Sequence, residues 1–248
     1  MSIYSKLVQS KKEGRKLFSV LVDPDKAGKQ ACETLATKAQ HAGVDLIFVG
    51  SSLLTTDDLD DCIKIIKQHC NIPVVLFPGS VLQISVYADA ILLLSLISGR
   101  NADMLIGKQV IAAPLLKASK LEIISTGYML IDPGHPTSVS YMSNSAPVPH
   151  DKNDIALCTA LAGEQLGLKT IFMDAGSGAR VPVSRSMIET VSRTVSVPLI
   201  IGGGIKSPEK ALENCDAGAD VVVVGNSIEK NQNLISEISD AVHSFQTT

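Results

Sequence analysis

Eight short apolar runs, most of them followed by a longer amphipathic stretch, succeed one another along this chain, and that alternation narrows its possible folds most. The strand candidates are residues 17–23, 44–50, 73–78, 88–96, 122–132, 169–174, 198–202 and 220–225. Runs such as PVVLF, TIFMD, PLIIG and DVVVVG are nearly continuous in apolar residues, the pattern of strands covered on both faces. Helical patterns at 29–42, 56–69, 151–166, 183–194 and 207–217 fall between them. Strict alternation implies a parallel sheet with right-handed crossovers. Eight such units closing on themselves predict a (β/α)8 TIM barrel, and 248 residues is an ordinary length for one, read here as a single domain over 1–248. The alternative is an open doubly wound sheet with a dinucleotide site. Against it, no GxGxxG follows the first strand, where Val22-Asp23-Pro24-Asp25-Lys26 stands.

Two segments lie outside the repeat. Residues 2–13 predict a helix ahead of the first strand, covering the barrel floor. Residues 133–149, rich in Pro, Ser, Gly and Asn, predict a long irregular insert after the fifth strand. In a barrel it sits at the C-terminal rim, as an active-site lid or as a surface loop.

With a net charge of −3 and no basic stripe, nucleic acid is excluded as a main partner. No apolar run reaches membrane-spanning length, and the polar N-terminus lacks a signal-peptide core, so a soluble cytoplasmic protein is expected. Cys32, Cys62, Cys70, Cys158 and Cys215 form no CxxC pair and read as small apolar residues in a reducing compartment.

The chemistry-bearing residues cluster at predicted strand ends. Gly202-Gly203-Gly204 closes the seventh strand and Gly225-Asn226-Ser227 the eighth, each close to a helix start. In a barrel these turns are neighbours. Their backbone N–H groups can converge on a phosphate, and the helix N-termini add partial positive charge. Phe172-Met173-Asp174-Ala175-Gly176-Ser177-Gly178 ends the sixth strand, and Asp174 there can hold a hydroxyl, accept a proton or cap the turn. At the first strand end Asp23 is a candidate Mg²⁺ ligand, with Ser51-Ser52 beside it, whereas Asp25 is expected to cap the next helix. No histidine occupies a rim position, so acyl-transfer hydrolysis lacks a visible base.

The set VDPDK, FVGSS, TGYMLIDPG, FMDAGSGA, IIGGGI and VVVVGNSIE, in order over nearly the whole chain, resembles the geranylgeranylglyceryl phosphate synthase family. The long TGYMLIDPG insert and the VPVS stretch look more like its archaeal-type branch, found also in some bacteria, than the shorter synthases that use heptaprenyl diphosphate. The resemblance implies transfer of a prenyl group from a polyprenyl diphosphate to the primary hydroxyl of sn-glycerol 1-phosphate, with Mg²⁺ as cofactor and a homo-oligomeric assembly. It implies Asp23 and Ser52 as metal ligands, and Tyr128 near the reacting carbon. It implies a glycerol phosphate site built from Phe172, Met173, Asp174, Ala175, Gly176, Ser177, Gly178, Gly203, Gly204, Gly225 and Asn226. Three positions depart from the family pattern. Phe172 and Asp174 stand where tyrosine and glutamate are frequent, and Leu21 where some members carry lysine. Leu92 to Leu96 read as barrel core, not as a groove for the prenyl tail.

Two rival functions remain. A sugar-phosphate aldolase needs a lysine at a strand end, and Lys169 opens its strand while Lys206 lies beyond the glycine turn. A non-catalytic phosphate-sensing barrel has no use for Asp23, Ser52 and Asp174 together.

Overall fold

In a computed structural model, described for residues 2–245, eight parallel strands close into a barrel in the order β1-β2-β3-β4-β5-β6-β7-β8. The strands are β1 Leu17–Val22, β2 Leu46–Val49, β3 Val74–Leu76, β4 Ala90–Leu96, β5 Glu122–Leu130, β6 Thr170–Asp174, β7 Leu199–Gly202 and β8 Val221–Val224. Closure is made by β1 on β8, with Leu17 opposite Val221 and Val20 opposite Val224. An open sheet is thereby excluded.

Side chains alternate between two apolar layers, as the period of two along a strand requires. Inward residues such as Leu46, Phe48, Leu92, Phe172, Ile200 and Val221 fill the barrel. Outward residues such as Val20, Ile47, Ile171, Met173 and Val222 pack under the surrounding helices. Helix α1 (Ile3–Lys12) puts Ile3 and Leu7 into the inner cluster beside Leu17 and Leu46, so it closes the floor as expected. Its first amides, Ile3 N and Tyr4 N, donate to the Glu122 carboxylate at 2.6 and 2.9 Å, a negative charge at the positive end of the helix.

The outer ring comprises α2 (Lys29–His41), α3 (Leu59–His69), α4 (Lys108–Ser119), α6 (Asn153–Gln165), α7 (Arg185–Ser192), α8 (Pro208–Asp216) and α10 (Leu234–His243). Strict alternation fails once. Residues 77–89, between β3 and β4, form no helix. This segment holds Pro78, Gly79, Ser80 and Ser85, and its buried Gln83 ties it to the β2 loop. The Gln83 amide donates to Ser51 O at 2.9 Å and accepts from Gly79 N at 3.2 Å. A π-helical turn, Asp103–Gly107, leads into α4. The insert after β5 does lie at the C-terminal rim, but it is not irregular throughout, since α5 (Ser138–Ser143) occupies its middle. Short α9 (Asn226–Lys230) follows β8 directly. Among the described residues no helix is long and apolar enough to cross a membrane.

Candidate active site

Three cavities join end to end across the C-terminal rim. The first is lined by the glycine turns: Gly176, Ser177, Gly178, Gly203, Gly204, Gly225, Asn226 and Lys206, with Phe172 and Asp174 at its floor. The second, central cavity is lined by Asp23, Lys26, Ser51, Ser52, Phe77, Tyr128, Asp174, Ser177, Asn226 and Glu229. The third, of about 690 Å³ with its open mouth, is lined mainly by apolar residues including Val81, Ile84, Leu93, Leu94, Met104, Ala112 and Leu116. Asp174 belongs to the first and second, Tyr128 to the second and third. These two residues are also directly bonded.

The glycine pocket is made of backbone. Gly203 and Gly204 have φ of +82° and +74°, the left-handed region that side chains resist, and this turns the chain back after β7. The amides of Gly203, Gly204 and Asn226 have no acceptor among the described residues. Backbone donors are rarely left without a partner, so three at one pocket mark a place for anion or water oxygens. The Ser177 hydroxyl donates to Asn226 Oδ1 at 2.8 Å, joining the β6 loop to the β8 loop over this pocket.

Asp174 ends β6 facing inward, because Thr170, Phe172 and Asp174 share one face of the strand. Its Oδ2 accepts from Tyr128 Oη and its Oδ1 from Gly176 N, both at 2.7 Å. Burial pushes its carboxyl above the usual carboxylate range, although the bonds from Tyr128 and Gly176 pull the other way. Burial, then the neighbouring Asp174, also holds the Tyr128 phenol well above its ordinary value, so Tyr128 stays protonated and donates. Each carboxylate oxygen keeps a lone pair for a further donor. Aromatic rings surround this pair. Phe77 stacks on Phe172 at 5.0 Å, and Tyr128 meets Phe172 edge-on at 5.6 Å.

Across the central cavity, Asp23 follows the end of β1 and is buried. Its Oδ2 accepts from Ser51 Oγ at 3.1 Å and from Lys26 Nζ at 2.8 Å, and its Oδ1 from Asp25 N at 3.2 Å. Ser51, not Ser52, is thus the serine bonded to Asp23, while Ser52 lines the same cavity. Among the described residues no three His, Cys, Asp or Glu side chains form a metal cage. Asp23 with the serine hydroxyls suits a hard cation that takes oxygen ligands and completes its shell from water and substrate phosphate, the usual habit of Mg²⁺.

Several positions differ from the sequence expectations. Met173 points away from the cavities into the layer under the helices, and Ala175 also packs there, contributing only backbone at the rim. Asp25 does not cap α2, whose N-cap Gly28 makes no side-chain bond. It instead accepts from Thr55 and Thr56 of the β2–α3 loop, at 2.6 to 3.3 Å. Leu92 and Leu96 are buried in the inner cluster as expected, whereas Leu93 and Leu94 are only partly buried and, with Leu96, line the apolar cavity. Phe77, Lys26, Glu229 and the residues of α5 that overhang the centre (Val139, Met142, Ser143) lay outside the sequence reading. The only sequence signals were the Lys that follows the DPD triplet and the Glu three residues beyond Asn226.

The family model described as the PcrB family matches residues 9–243. A geranylgeranylglyceryl phosphate synthase of Chitinophaga pinensis is 58% identical over 97% of this chain and 96% of its own length. An archaeal protein of the same name, from Korarchaeum cryptofilum, is 39% identical over 93% of this chain and 94% of its own length. The crystal structure of (S)-3-O-geranylgeranylglyceryl phosphate synthase from Thermoplasma acidophilum, in complex with its substrate sn-glycerol-1-phosphate, superposes with a TM-score of 0.94 at 32% identity. That match covers 99% of this chain and 100% of the archaeal one.

Proposed function

The chain belongs to the PcrB family, and from that membership we propose that it is a geranylgeranylglyceryl phosphate synthase, a prenyltransferase joining a geranylgeranyl chain to the primary hydroxyl of sn-glycerol 1-phosphate. The observation that carries this reading is the linear order of the three cavities: an amide-lined anion pocket, a carboxylate centre and an apolar slot, joined through Asp174 and Tyr128. A phosphorylated alcohol fits one end and an isoprenoid tail the other.

Glycerol phosphate would rest its phosphate on the amides of Gly203, Gly204 and Asn226 and extend its free hydroxyl to Asp174. Asp174 orients that hydroxyl and takes its proton late, once oxygen has begun to bond to carbon, since an alcohol is too weak an acid to ionise beforehand. Tyr128 holds the carboxylate in place by its 2.7 Å bond. The rings of Tyr128 and Phe77, which line the central cavity, offer π faces to the allylic carbon as positive charge develops there. Mg²⁺ at Asp23, with Ser51 and Ser52 beside it, would neutralise the departing diphosphate. Alignment of hydroxyl and allylic carbon supplies much of the acceleration.

The raised carboxyl of Asp174 gives the reaction a pH signature. The ionised form is the acceptor, so turnover should rise with pH through a midpoint above that of an ordinary aspartate, and Asp174→Asn should lose that acid limb. By linkage, the Asp174 contribution to stability is full below the unfolded-state value and is lost as pH rises through the higher folded one. A pH profile of single-turnover rates reads the first effect, and an acid limb at the ordinary aspartate value would remove Asp174 as acceptor.

The apolar slot supports a tail running past Leu94 and Met104 to Ala112 and Leu116. Ala112→Trp should therefore lower the preference for geranylgeranyl over farnesyl diphosphate at least about tenfold, a bulkier wall shortening the slot. An unchanged preference would place the tail elsewhere. Ile106, Val110, Ile111 and Leu115 on the opposite face of this helical segment are 59–65% exposed, which supports a homo-oligomer covering them.

The test is incubation of the protein with Mg²⁺, glycerol 1-phosphate and radiolabelled geranylgeranyl diphosphate, repeated with farnesyl and heptaprenyl diphosphates. Lipid-soluble label that requires all three components supports the synthase, and tight glycerol phosphate binding without turnover on any diphosphate favours a sensor.

A further inference from the structure

The turn after β1 places a tethered cation on the carboxylate assigned above to the metal. Lys26 Nζ lies 2.8 Å from Asp23 Oδ2 and 3.9 Å from Glu229 Oε2. The two ends of this contact differ in freedom. The Asp23 side chain is 11% exposed and held by three donors, whereas that of Lys26 is 53% exposed, on a flexible stem. Glu229, on α9, lines the same cavity. Glu229 and Asp23 thus lie on either side of one ammonium, Asp23 the nearer.

We propose that Lys26 is a specificity-determining residue that makes Asp23 accept a divalent cation accompanied by a diphosphate and reject the bare ion. The inference rests on the metal reading of Asp23. A bare cation has to displace the ammonium from Asp23 and then sits beside it, two positive charges sharing one carboxylate. A cation that arrives with a diphosphate brings excess negative charge. The ammonium then turns from Asp23 toward phosphate oxygens, with Glu229 as the second acceptor along a short swing. Cation and diphosphate therefore bind cooperatively, and Asp23 is not loaded unproductively before the prenyl substrate arrives.

Mn²⁺, which is visible by electron paramagnetic resonance, tests this on the whole protein with and without inorganic pyrophosphate, the signal of Mn²⁺-pyrophosphate in buffer being subtracted. The wild type should bind bare Mn²⁺ at least about tenfold more weakly than Mn²⁺ with pyrophosphate. Lys26→Met, a change at an exposed side chain, should tighten bare Mn²⁺ binding at least about tenfold and shrink the pyrophosphate effect. Lys26→Arg should restore the wild-type pattern, and Glu229→Gln should weaken the pyrophosphate effect. Bare Mn²⁺ affinities within twofold in wild type and Lys26→Met, with pyrophosphate-assisted binding intact, overturn the role of Lys26. Failure of every variant to bind Mn²⁺ even with pyrophosphate overturns instead the metal reading of Asp23, and the role of Lys26 with it.

Discussion

Asp23→Asn should abolish turnover, with kcat lowered at least about a thousandfold, while glycerol phosphate affinity changes less than about threefold. The substitution preserves shape and removes one charge. Asp23 is buried, and as Asn it can still accept from the Asp25 amide through Oδ1, which keeps the β1 turn, while the nitrogen that replaces Oδ2 no longer accepts from Ser51 or Lys26. What is lost is the carboxylate that the proposed mechanism sets against the departing diphosphate in the central cavity. Asp23 is absent from the lining of the glycine pocket, which is why binding there should survive. Single-turnover rates with geranylgeranyl diphosphate and calorimetric titration with glycerol phosphate separate the two effects. Near-normal turnover would remove Asp23 from the chemistry. Loss of both properties would show that Asp23 also supports the neighbouring glycine pocket.

Gly203→Ala should do the reverse, striking binding first. A methyl group on Gly203 meets Gly176 N at 2.6 Å, Ala175 N at 2.7 Å and Asp174 Oδ1 at 2.7 Å, on a backbone whose φ is +82°. Two of these neighbours are backbone, so they cannot rotate aside. The left-handed conformation costs about 1–2 kcal/mol for any residue with a Cβ, and relief of the clash costs on the order of another 1–3 kcal/mol. The Gly176 amide that steadies Asp174 has to move as well. Glycerol phosphate affinity should fall at least about a hundredfold, equivalent to roughly 2.7 kcal/mol. The melting temperature should fall by about 4–20 °C. Gly43→Ala is the matched control. Its φ is +70° but nothing lies within 4 Å of the added methyl, so it should show the strain alone and leave binding intact. Isothermal titration and thermal melts of both variants check the pair. Equal binding by Gly203→Ala and the parent would mean that the phosphate does not rest on this turn.

The barrel was legible because each strand is buried on both faces and so reads as an apolar run with few interruptions. The glycine turns were legible for a different reason: a pocket lined by backbone leaves its mark as missing side chains. What escaped was set by contacts between distant segments. The 77–89 segment does not coil because Gln83 is tied to the β2 loop, a bond invisible in one stretch of sequence. The segment KQVIAAPLLKAS carries Pro114 and exposes Val110, Ile111 and Leu115, so α4 shows no amphipathic stripe from which a helix could be inferred. Alternation along β6 sends Phe172 and Asp174 inward and Met173 outward, a division that a contiguous motif does not display. Asp25 caps a loop that starts thirty residues later, again a matter of tertiary approach. Lys26 and Glu229 lie far apart in the chain and gain meaning only where β1 and α9 meet.

The account depends on an order in space, with phosphate pocket, carboxylate centre and apolar slot in line. A crystal structure with glycerol 1-phosphate and a non-hydrolysable thio analogue of geranylgeranyl diphosphate tests it most directly. The glycerol phosphate should lie against the amides of Gly203, Gly204 and Asn226 with its free primary hydroxyl on Asp174, and the tail should pass Tyr128 toward Ala112 and Leu116. A phosphate bound away from the glycine turns, or a tail outside the β3–β4 slot, would contradict it.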